Sequence, residues 1–269
     1  MILKLDHFDL DEIAGSGQCF RFKKISEDEF GVVAYGRFLT VKKVSEGYEF
    51  SCSQEEWNNI FSSYFDAETD YNRIEKLVYA FGDSHLIEAF EKGRGIRILQ
   101  QDLWEIIISF LISQNNNIPR IKNSIEALCR AADLKTINNS GEYRFPMPGE
   151  ISPSLFDDVN LGLGYRAPYL KEMYEYAADN PDWLDALRSM PYEEARHELL
   201  LRKGIGPKVA DCICLFGLHH IDAFPIDTHI KQLLTKYYPS GFPVSYFEGC
   251  AGVIQQYLFY YEIKPFGNV

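Results

Sequence analysis

A tight glycine hairpin between two helices constrains the fold of this chain more than any other segment. An apolar helical run at residues 199–201 leads into Gly204-Ile205-Gly206, and Pro207 then opens a second helix. Glycine permits the positive φ angles of a tight turn, and proline suits the first helical position, where no backbone N–H is needed. The pattern therefore predicts a helix, a hairpin and a helix across residues 199–214.

Lys208 lies in the first turn of the second helix, directly after Pro207. This is the positive end of the helix dipole, where a cation is disfavoured and a neutral amine is easier to reach. A neutral lysine is a nucleophile that forms Schiff bases with carbonyl carbons. We therefore predict that Lys208 is a catalytic nucleophile.

Asp227 follows Lys208 by 19 residues and precedes a third helical pattern. It is predicted to be the N-cap of that helix, and a backbone N–H would then hold its carboxylate ionised and fix its direction. A lone aspartate at such a position is usually only a cap, and a lone lysine usually lies at the surface. Together behind the hairpin, Lys208 and Asp227 suit a reaction that builds positive charge on a sugar and then captures its C1 carbon.

The periodicity of the chain changes near residue 95. Before it, strand-like runs at residues 30–35, 38–41 and 48–51 predict an antiparallel sheet, followed by helical patterns. From Leu99 onward nearly every segment has helical spacing. We predict an α+β fold in which residues 1–95 form an N-terminal antiparallel β-sheet domain with helices. Residues 96–269 are predicted to form a mostly α-helical domain.

Composition argues for a globular protein without a metal cluster or cofactor. Of the 269 residues, 46% are apolar, which is enough to bury a large core. Six cysteines are present, no two of them in a C-x-x-C pair, and no signal peptide is recognisable. We therefore expect reduced thiols in a cytosol, no metal site and no bound cofactor. No apolar run is long enough for a membrane span.

The net charge of −12 argues against tight non-specific binding to DNA. The charge is unevenly distributed, however, because residues 45–92 hold eleven acids against three basic residues, whereas residues 199–240 hold five basic residues against three acids. A glycine hairpin also binds phosphate mainly through backbone N–H groups, which need no net basicity. The acidity of the chain is therefore compatible with a nucleic-acid site at the hairpin.

Five segments, in order along the chain, resemble the helix-hairpin-helix DNA glycosylases, and more narrowly the eukaryotic-type 8-oxoguanine DNA glycosylases. The resemblance implies a bifunctional enzyme that rotates the damaged nucleotide out of the duplex. The segments are residues 15–22, 113–120, 162–167, 204–229 and 251–259.

The resemblance gives each catalytic residue a role. Asp227 would stabilise the oxocarbenium-like sugar as the N-glycosidic bond breaks, and Lys208 would attack C1′ to give a Schiff base, from which the 3′ phosphate is eliminated. The expected partner is double-stranded DNA that contains 8-oxoguanine opposite cytosine, and the expected state is a monomer.

The resemblance also assigns the base pocket. Gly17 matches the residue whose backbone carbonyl accepts the N7–H that 8-oxoguanine has and guanine lacks. Cys212 and Phe259 match the two faces that sandwich the base, and Gln255 matches the amide that reads its Watson–Crick edge. Gln256 and Tyr257 stand where the family pattern has small apolar residues, so that pattern does not fix the depth of the pocket.

A further set of residues matches those that hold the DNA. Some fill the hole left by the rotated base, Arg120 would donate to an opposite cytosine, and His229 would contact a phosphate. Pro119 precedes Arg120, where the family pattern has a smaller or unconstrained residue, and would shift the aim of the arginine. The predicted DNA-binding residues are Asn115, Arg120, Tyr165, Arg166, Gly204, Gly206 and His229.

Two alternative functions compete with the 8-oxoguanine glycosylase/lyase. One is a glycosylase for alkylated bases, but such enzymes usually act without the lysine, so Lys208 argues against it. The other is a non-catalytic helix-hairpin-helix module that only grips DNA phosphates and has no use for Asp227. The lack of long eukaryotic tails and of targeting segments suggests a bacterial, cytoplasmic protein that works at the nucleoid.

Overall fold

A five-stranded sheet forms the N-terminal part of the computed structural model, in which residues 1–138, 140–158 and 160–263 are described. The strands are β1 (Ile2–Leu3), β2 (Phe22–Lys24), β3 (Glu29–Ala34), β4 (Arg37–Val44) and β5 (Gly47–Phe50). Their order in space is β1-β5-β4-β3-β2, and every neighbouring pair is antiparallel. The predicted antiparallel sheet is confirmed.

The hairpin between β3 and β4 fixes the register of the sheet. Its two central residues, Tyr35 and Gly36, have φ angles of 48° and 73°. A two-residue turn with both residues in the left-handed region matches the twist of the flanking strands. Val32 therefore faces Leu39 across the pair, and both side chains enter the core under the sheet.

Helices make up most of the rest of the described chain, which confirms the predicted α+β class. None of the helices within the described ranges is long and apolar enough to cross a membrane. Single turns of tighter or wider helix lie at Trp57–Phe61, Gly164–Arg166 and Val244–Phe247. The α-helices are α1 (Leu10–Gly15), α2 (Gln54–Glu56), α3 (Ser62–Tyr64), α4 (Tyr71–Phe81), α5 (Ser84–Lys92), α6 (Leu103–Ser113), α7 (Ile118–Ala132), α8 (Leu155–Asp158), α9 (Ala167–Asp179), α10 (Trp183–Ser189), α11 (Tyr192–Leu200), α12 (Pro207–Phe216), α13 (Thr228–Tyr237) and α14 (Ala251–Ile263).

Helix α6 runs through the centre of the helical region. Its sequence is apolar on all sides, as expected of a helix that is surrounded by protein. It packs against α7 and α12, and its Trp104 is fully buried with the indole N–H donated to the carbonyl of Pro146 at 3.0 Å. Helix α14 is also apolar on most sides and packs against α5 and α13.

Two hydrophobic clusters hold the described chain together. One lies under the sheet and includes Phe22, Phe50 and Phe65. The larger cluster surrounds α6, α12 and α14, and it also takes in side chains of α4 and α5. The division into domains at residues 1–95 and 96–269 stays a prediction, and residues 264–269 of the second range lie outside the described chain.

Glu105 and Arg21 meet where α6 starts beside the sheet. Glu105 Oε2 lies 3.8 Å from Arg21 Nη1, and the two side chains are 15% and 4% exposed. Burial raises the pKa of the Glu105 carboxyl to about 7, although the charge of Arg21 opposes this rise. Desolvation therefore disfavours the charged carboxylate more than the guanidinium stabilises it.

We expect Glu105→Gln to stabilise the protein at pH 8 but not at pH 4.5. The folded-state pKa of about 7 lies above the ordinary value of 4.5, so the stability contributed by Glu105 is full below pH 4.5 and is lost as the pH rises to 7. Relative to the wild type, the free energy of unfolding of the variant should rise by about 3 kcal/mol across this window. Urea unfolding of both proteins at the two pH values measures it, with the exposed Glu46→Gln as control. An equal difference at both pH values would contradict the prediction.

Candidate active site

The hairpin predicted from the glycines joins α11 to α12. Gly204 has a φ of +85°, and a Cβ at this position would lie 2.8 Å from Cγ of Tyr169. Backbone conformation and space therefore both require glycine there. Gly206 has an extended backbone and forms the N-cap of α12, and Pro207 is the first residue of that helix. The hairpin presents the N-terminus of α12, with Lys208 in its first turn.

One pocket brings together the two predicted catalytic residues and all four predicted base-pocket residues. Its volume is about 320 Å³, including the open mouth. The residues that line it are Gly17, Phe110, Lys208, Cys212, Phe216, Pro225, Asp227, Gln255, Gln256 and Phe259. They come from the segment before β2, from α6, α12 and α14, and from the segment that leads into α13. Segments more than 240 residues apart in sequence therefore meet at this site.

Lys208 enters the pocket between an aromatic ring and a thiol. Its Nζ lies 5.0 Å from the centroid of the Phe110 ring. Cys212, one helical turn further along α12, is buried, and burial raises the pKa of its thiol while the charge and hydrogen bond of Lys208 oppose the rise. The Lys208 amine therefore lies in the pocket between the Phe110 ring and the Cys212 thiol.

Asp227 is the N-cap of α13, as predicted. Its Oδ1 accepts the backbone N–H of Ile230 at 2.8 Å. This hydrogen bond fixes the side chain and satisfies one of the free N–H groups at the helix end. The carboxylate lines the same pocket as Lys208, so an anion and a nucleophile face one shared space.

Gly17 lies against the Phe259 ring. Its φ is +80°, and a Cβ at this position would lie 3.0 Å from Cε1 of Phe259. The backbone and the ring therefore approach so closely that no side chain fits between them. Half-buried Phe259 and buried Cys212 both line the pocket, and their role in sandwiching a planar base stays a prediction.

Gln255 offers an unused acceptor in the pocket. Its Nε2 donates to the carbonyl of Pro225 at 3.0 Å, whereas its Oε1 is buried without a hydrogen-bond partner among the described residues. An unpaired buried acceptor costs about 1–3 kcal/mol. A ligand that brings an N–H donor, such as the Watson–Crick edge of a purine, would remove this cost.

Arg166 and Tyr165 lie beside the loop that carries Asn115. Arg166 is 7% exposed, and its guanidinium donates to the carbonyls of Gln114, Asn115 and Leu163. Asn115 has a φ of 46°, so this residue of the loop is in the left-handed region. In this structure Arg166 stabilises the Asn115 loop, and its predicted contact with an orphaned base stays a prediction.

Three further side chains that are predicted to contact DNA are exposed, namely Tyr165, Arg120 and His229. Tyr165 is 54% exposed, and the Arg166 guanidinium lies 4.5 Å from the centroid of its ring. Arg120 lies in the first turn of α7, where its N–H is capped by Asn117, and Pro119 is accommodated in that same turn. His229 is exposed, with its ring 6.3 Å from that of Phe259. Their contacts with DNA stay predictions.

Four residues that line the pocket were not predicted from the sequence. Phe110 belongs to an apolar run that is indistinguishable in sequence from any buried helix, and Phe216 and Pro225 lack a distinctive pattern. Gln256 stood out only as a departure from the family pattern. Within the described ranges, no group of three or more histidine, cysteine or acidic side chains is arranged to hold a metal ion.

Known proteins match this chain along most of its length. Residues 1–107 match the family model described as 8-oxoguanine DNA glycosylase, N-terminal domain. An N-glycosylase/DNA lyase of Arabidopsis thaliana is 30% identical over 249 residues, which covers 87% of this chain and 68% of the plant protein. An N-glycosylase/DNA lyase of Saccharomyces cerevisiae is 35% identical over 167 residues, or 56% of this chain. The match spans only 44% of the yeast protein.

A solved structure shares the architecture. It is that of the Clostridium acetobutylicum 8-oxoguanine glycosylase/lyase in complex with double-stranded DNA that contains cytosine opposite 8-oxoguanine. The TM-score is 0.86 at 34% identity, and the match covers 95% of this chain and 92% of the clostridial one. The similarity therefore extends over the sheet, the hairpin and the pocket.

Proposed function

We propose that this chain, which belongs to the 8-oxoguanine DNA glycosylase family, removes 8-oxoguanine from duplex DNA and then cleaves the abasic strand. The observation that carries the proposal is the single pocket shared by Lys208 and Asp227 with Gly17, Gln255 and Phe259. A module that only grips phosphates has no need of such a pocket. A glycosylase without lyase activity has no need of a lysine there.

The first step is cleavage of the N-glycosidic bond of a nucleotide that has been rotated into the pocket. The base departs with the bonding electron pair, and positive charge develops on C1′ and the ring oxygen of the sugar. Asp227, fixed by its hydrogen bond to Ile230, supplies a preorganised negative charge to that cation. The developing charge is stabilised without any movement of the carboxylate.

Lys208 then captures the sugar. Its neutral amine forms a bond to C1′, and after loss of a proton and opening of the ring the product is a Schiff base. Removal of a proton from C2′ pushes electrons toward the iminium nitrogen and expels the 3′ phosphate. Hydrolysis of the remaining imine frees the lysine for the next cycle.

The pocket is proposed to select 8-oxoguanine by the one hydrogen-bond donor that this base has and guanine lacks. The carbonyl of Gly17 would accept the N7–H of the oxidised base, and an ordinary guanine would leave it unpaired at a cost of about 1–3 kcal/mol. The free Oε1 of Gln255 would accept from the Watson–Crick edge. Phe259 and Cys212 would enclose the two faces of the ring.

The proposed partner is double-stranded DNA with cytosine opposite the lesion, bound by a monomer. Asn115, Tyr165 and Arg166 would occupy the gap and hold the orphaned base, Arg120 would donate to the cytosine, and Gly204, Gly206 and His229 would contact phosphates. Exposure of Arg120 and Tyr165 and the free helix N-terminus at the hairpin support this assignment. Because the substrate is chromosomal DNA, we also propose that the protein works at the nucleoid of a bacterial cytoplasm.

Borohydride trapping tests the proposal directly. The wild-type protein is mixed with a duplex that carries one 8-oxoguanine opposite cytosine, and in parallel with the undamaged duplex and with a duplex that carries an alkylated purine. We expect a covalent adduct only on the strand with 8-oxoguanine. The reduction step traps the Schiff base, so the adduct reports lesion choice and covalent chemistry together.

Three other outcomes would each assign the chain to a different class of protein. An alkali-labile site without an adduct would leave a glycosylase that does not use Lys208 as a nucleophile. Cleavage of the alkylated duplex alone would move the chain to the alkylated-base enzymes. Binding without any product would leave a DNA-binding module, and the proposed function would be wrong.

A further inference from the structure

Gln256 is one of two adjacent buried amides on the largely apolar helix α14. It is 2% exposed on α14 and lines the pocket next to Gln255. Its Nε2 donates to the backbone carbonyl of Ser16 at 2.7 Å, across 240 residues of sequence. Burying an amide is costly unless it is hydrogen-bonded, so this bond is what makes a glutamine tolerable here.

The carbonyl held by Gln256 belongs to the peptide that joins Ser16 to Gly17. Ser16 is fully buried, and its Oγ donates to the carbonyl of Ile13 at 2.8 Å and accepts from Gln18 Nε2 at 2.9 Å. Side chain and carbonyl of Ser16 are therefore both fixed, and the peptide entering Gly17 is held in one orientation.

The residue that follows Gly17 is also held. Gln18 is fully buried, its Nε2 also donates to the carbonyl of Arg97 at 2.9 Å, and its Oε1 accepts the N–H of Leu99 at 2.7 Å. Gln101 in turn donates to the carbonyl of Gln18 at 2.9 Å. Gly17 lies between two immobilised neighbours.

Gly17 itself has little to keep it in place. Its φ is +80°, a region that glycine enters freely and also leaves freely, because it has no side chain to restrict rotation. The direction of its carbonyl therefore depends on the groups that hold Ser16 and Gln18 on either side. The hydrogen bond from Gln256 links the Ser16–Gly17 peptide to α14, the helix that also carries Gln255 and Phe259.

We propose that Gln256 is a positioning residue for lesion recognition: its amide holds the Ser16–Gly17 peptide so that the Gly17 carbonyl faces the N7–H of 8-oxoguanine. The inference rests on the proposed function. This one hydrogen bond keeps the Gly17 carbonyl, which distinguishes the lesion, at a fixed position relative to the ring of Phe259 and the amide of Gln255. This glutamine stands where the family pattern has a small apolar residue, and its side chain adds a direct hydrogen bond to the carbonyl of Ser16, next to Gly17.

The test separates recognition of the base from chemistry on the sugar. Gln256→Met removes the amide and keeps an unbranched side chain of similar length. Single-turnover rates are measured on a duplex with 8-oxoguanine opposite cytosine and on the same duplex with a preformed abasic site. We expect about a tenfold loss on 8-oxoguanine, as for one lost hydrogen bond and one orphaned carbonyl, and less than about a twofold change on the abasic site.

Tyr48→Phe is the matched control. The Tyr48 hydroxyl is buried and donates to the carbonyl of Phe8 under the sheet, so its removal also deletes a side-chain hydrogen bond to a buried carbonyl. It should lower the thermal midpoint by a similar amount and leave both rates unchanged. Gln256→Leu is the second variant and should reproduce the split if Gln256→Met fails to fold.

Three results would overturn the inference while the proposed function stands. They are an unchanged rate on 8-oxoguanine, equal losses on the two substrates, and a loss of the same size in Tyr48→Phe. A wild-type protein that is inactive on both duplexes would instead reject the proposed function, and the role of Gln256 with it.

Discussion

Lys208→Gln should abolish the borohydride-trapped adduct and lower the rate of strand cleavage at a preformed abasic site by about 10⁴-fold or more. The glutamine amide fills nearly the same space beside Phe110 and Cys212 but has no nucleophilic nitrogen. The effect should be large because the lysine itself forms the covalent bond to C1′, whereas its neighbours only contact the lysine. Denaturing electrophoresis of the trapped complex and of the cleaved strand measures both effects.

Two controls separate chemistry from charge. Lys208→Arg keeps the cation, so its affinity for abasic duplex should stay within about threefold of the wild type while the adduct is still lost. Lys76→Gln changes an exposed lysine on α4 and should leave adduct and cleavage unchanged. A persistent adduct in Lys208→Gln would show that another amine is the nucleophile, and the assignment of Lys208 would be wrong.

Much of the fold was predictable because local chemistry fixes it. The hairpin at Gly204 needs a residue that tolerates a positive φ and a close tyrosine ring, and the sequence shows a glycine in the expected place. The cap at Asp227 is likewise a local rule, in which a short acidic side chain precedes a helix and reaches the third N–H. The positive φ of the hairpin and the helix cap depend on a few neighbouring residues and can be predicted without any tertiary contact, whereas the approach of the tyrosine ring to Gly204 cannot.

The walls of the pocket were less predictable because they depend on packing between distant segments. Phe110 is one of many apolar residues of α6, and only the approach of α12 makes it a neighbour of Lys208. Gln256 is equally ambiguous, since its sequence neighbours do not show that it faces Ser16. Arg166 was predicted from the family pattern as a DNA contact, and the structure adds its role in holding the Asn115 loop.

Asp227→Asn should lower the rate of 8-oxoguanine excision by about 10²–10³-fold, as for the loss of one preorganised electrostatic group at a developing charge. Asparagine is as good an N-cap as aspartate, so helix α13 should keep its start and the protein should keep its stability. The substitution therefore removes the negative charge and little else. Single-turnover excision opposite cytosine measures the loss, and thermal unfolding checks the cap.

Asp70→Asn is the matched control for Asp227→Asn, because Asp70 caps α4 through an equivalent hydrogen bond to Arg73 at 3.2 Å. It should leave excision unchanged. Asp227→Ala deletes charge and cap together, so it should lose about 1 kcal/mol of stability in addition to the excision rate. If Asp227→Asn excised 8-oxoguanine at the wild-type rate while Asp227→Ala did not, the residue would act only as a cap. Stabilisation of the sugar cation would then have to come from elsewhere in the pocket.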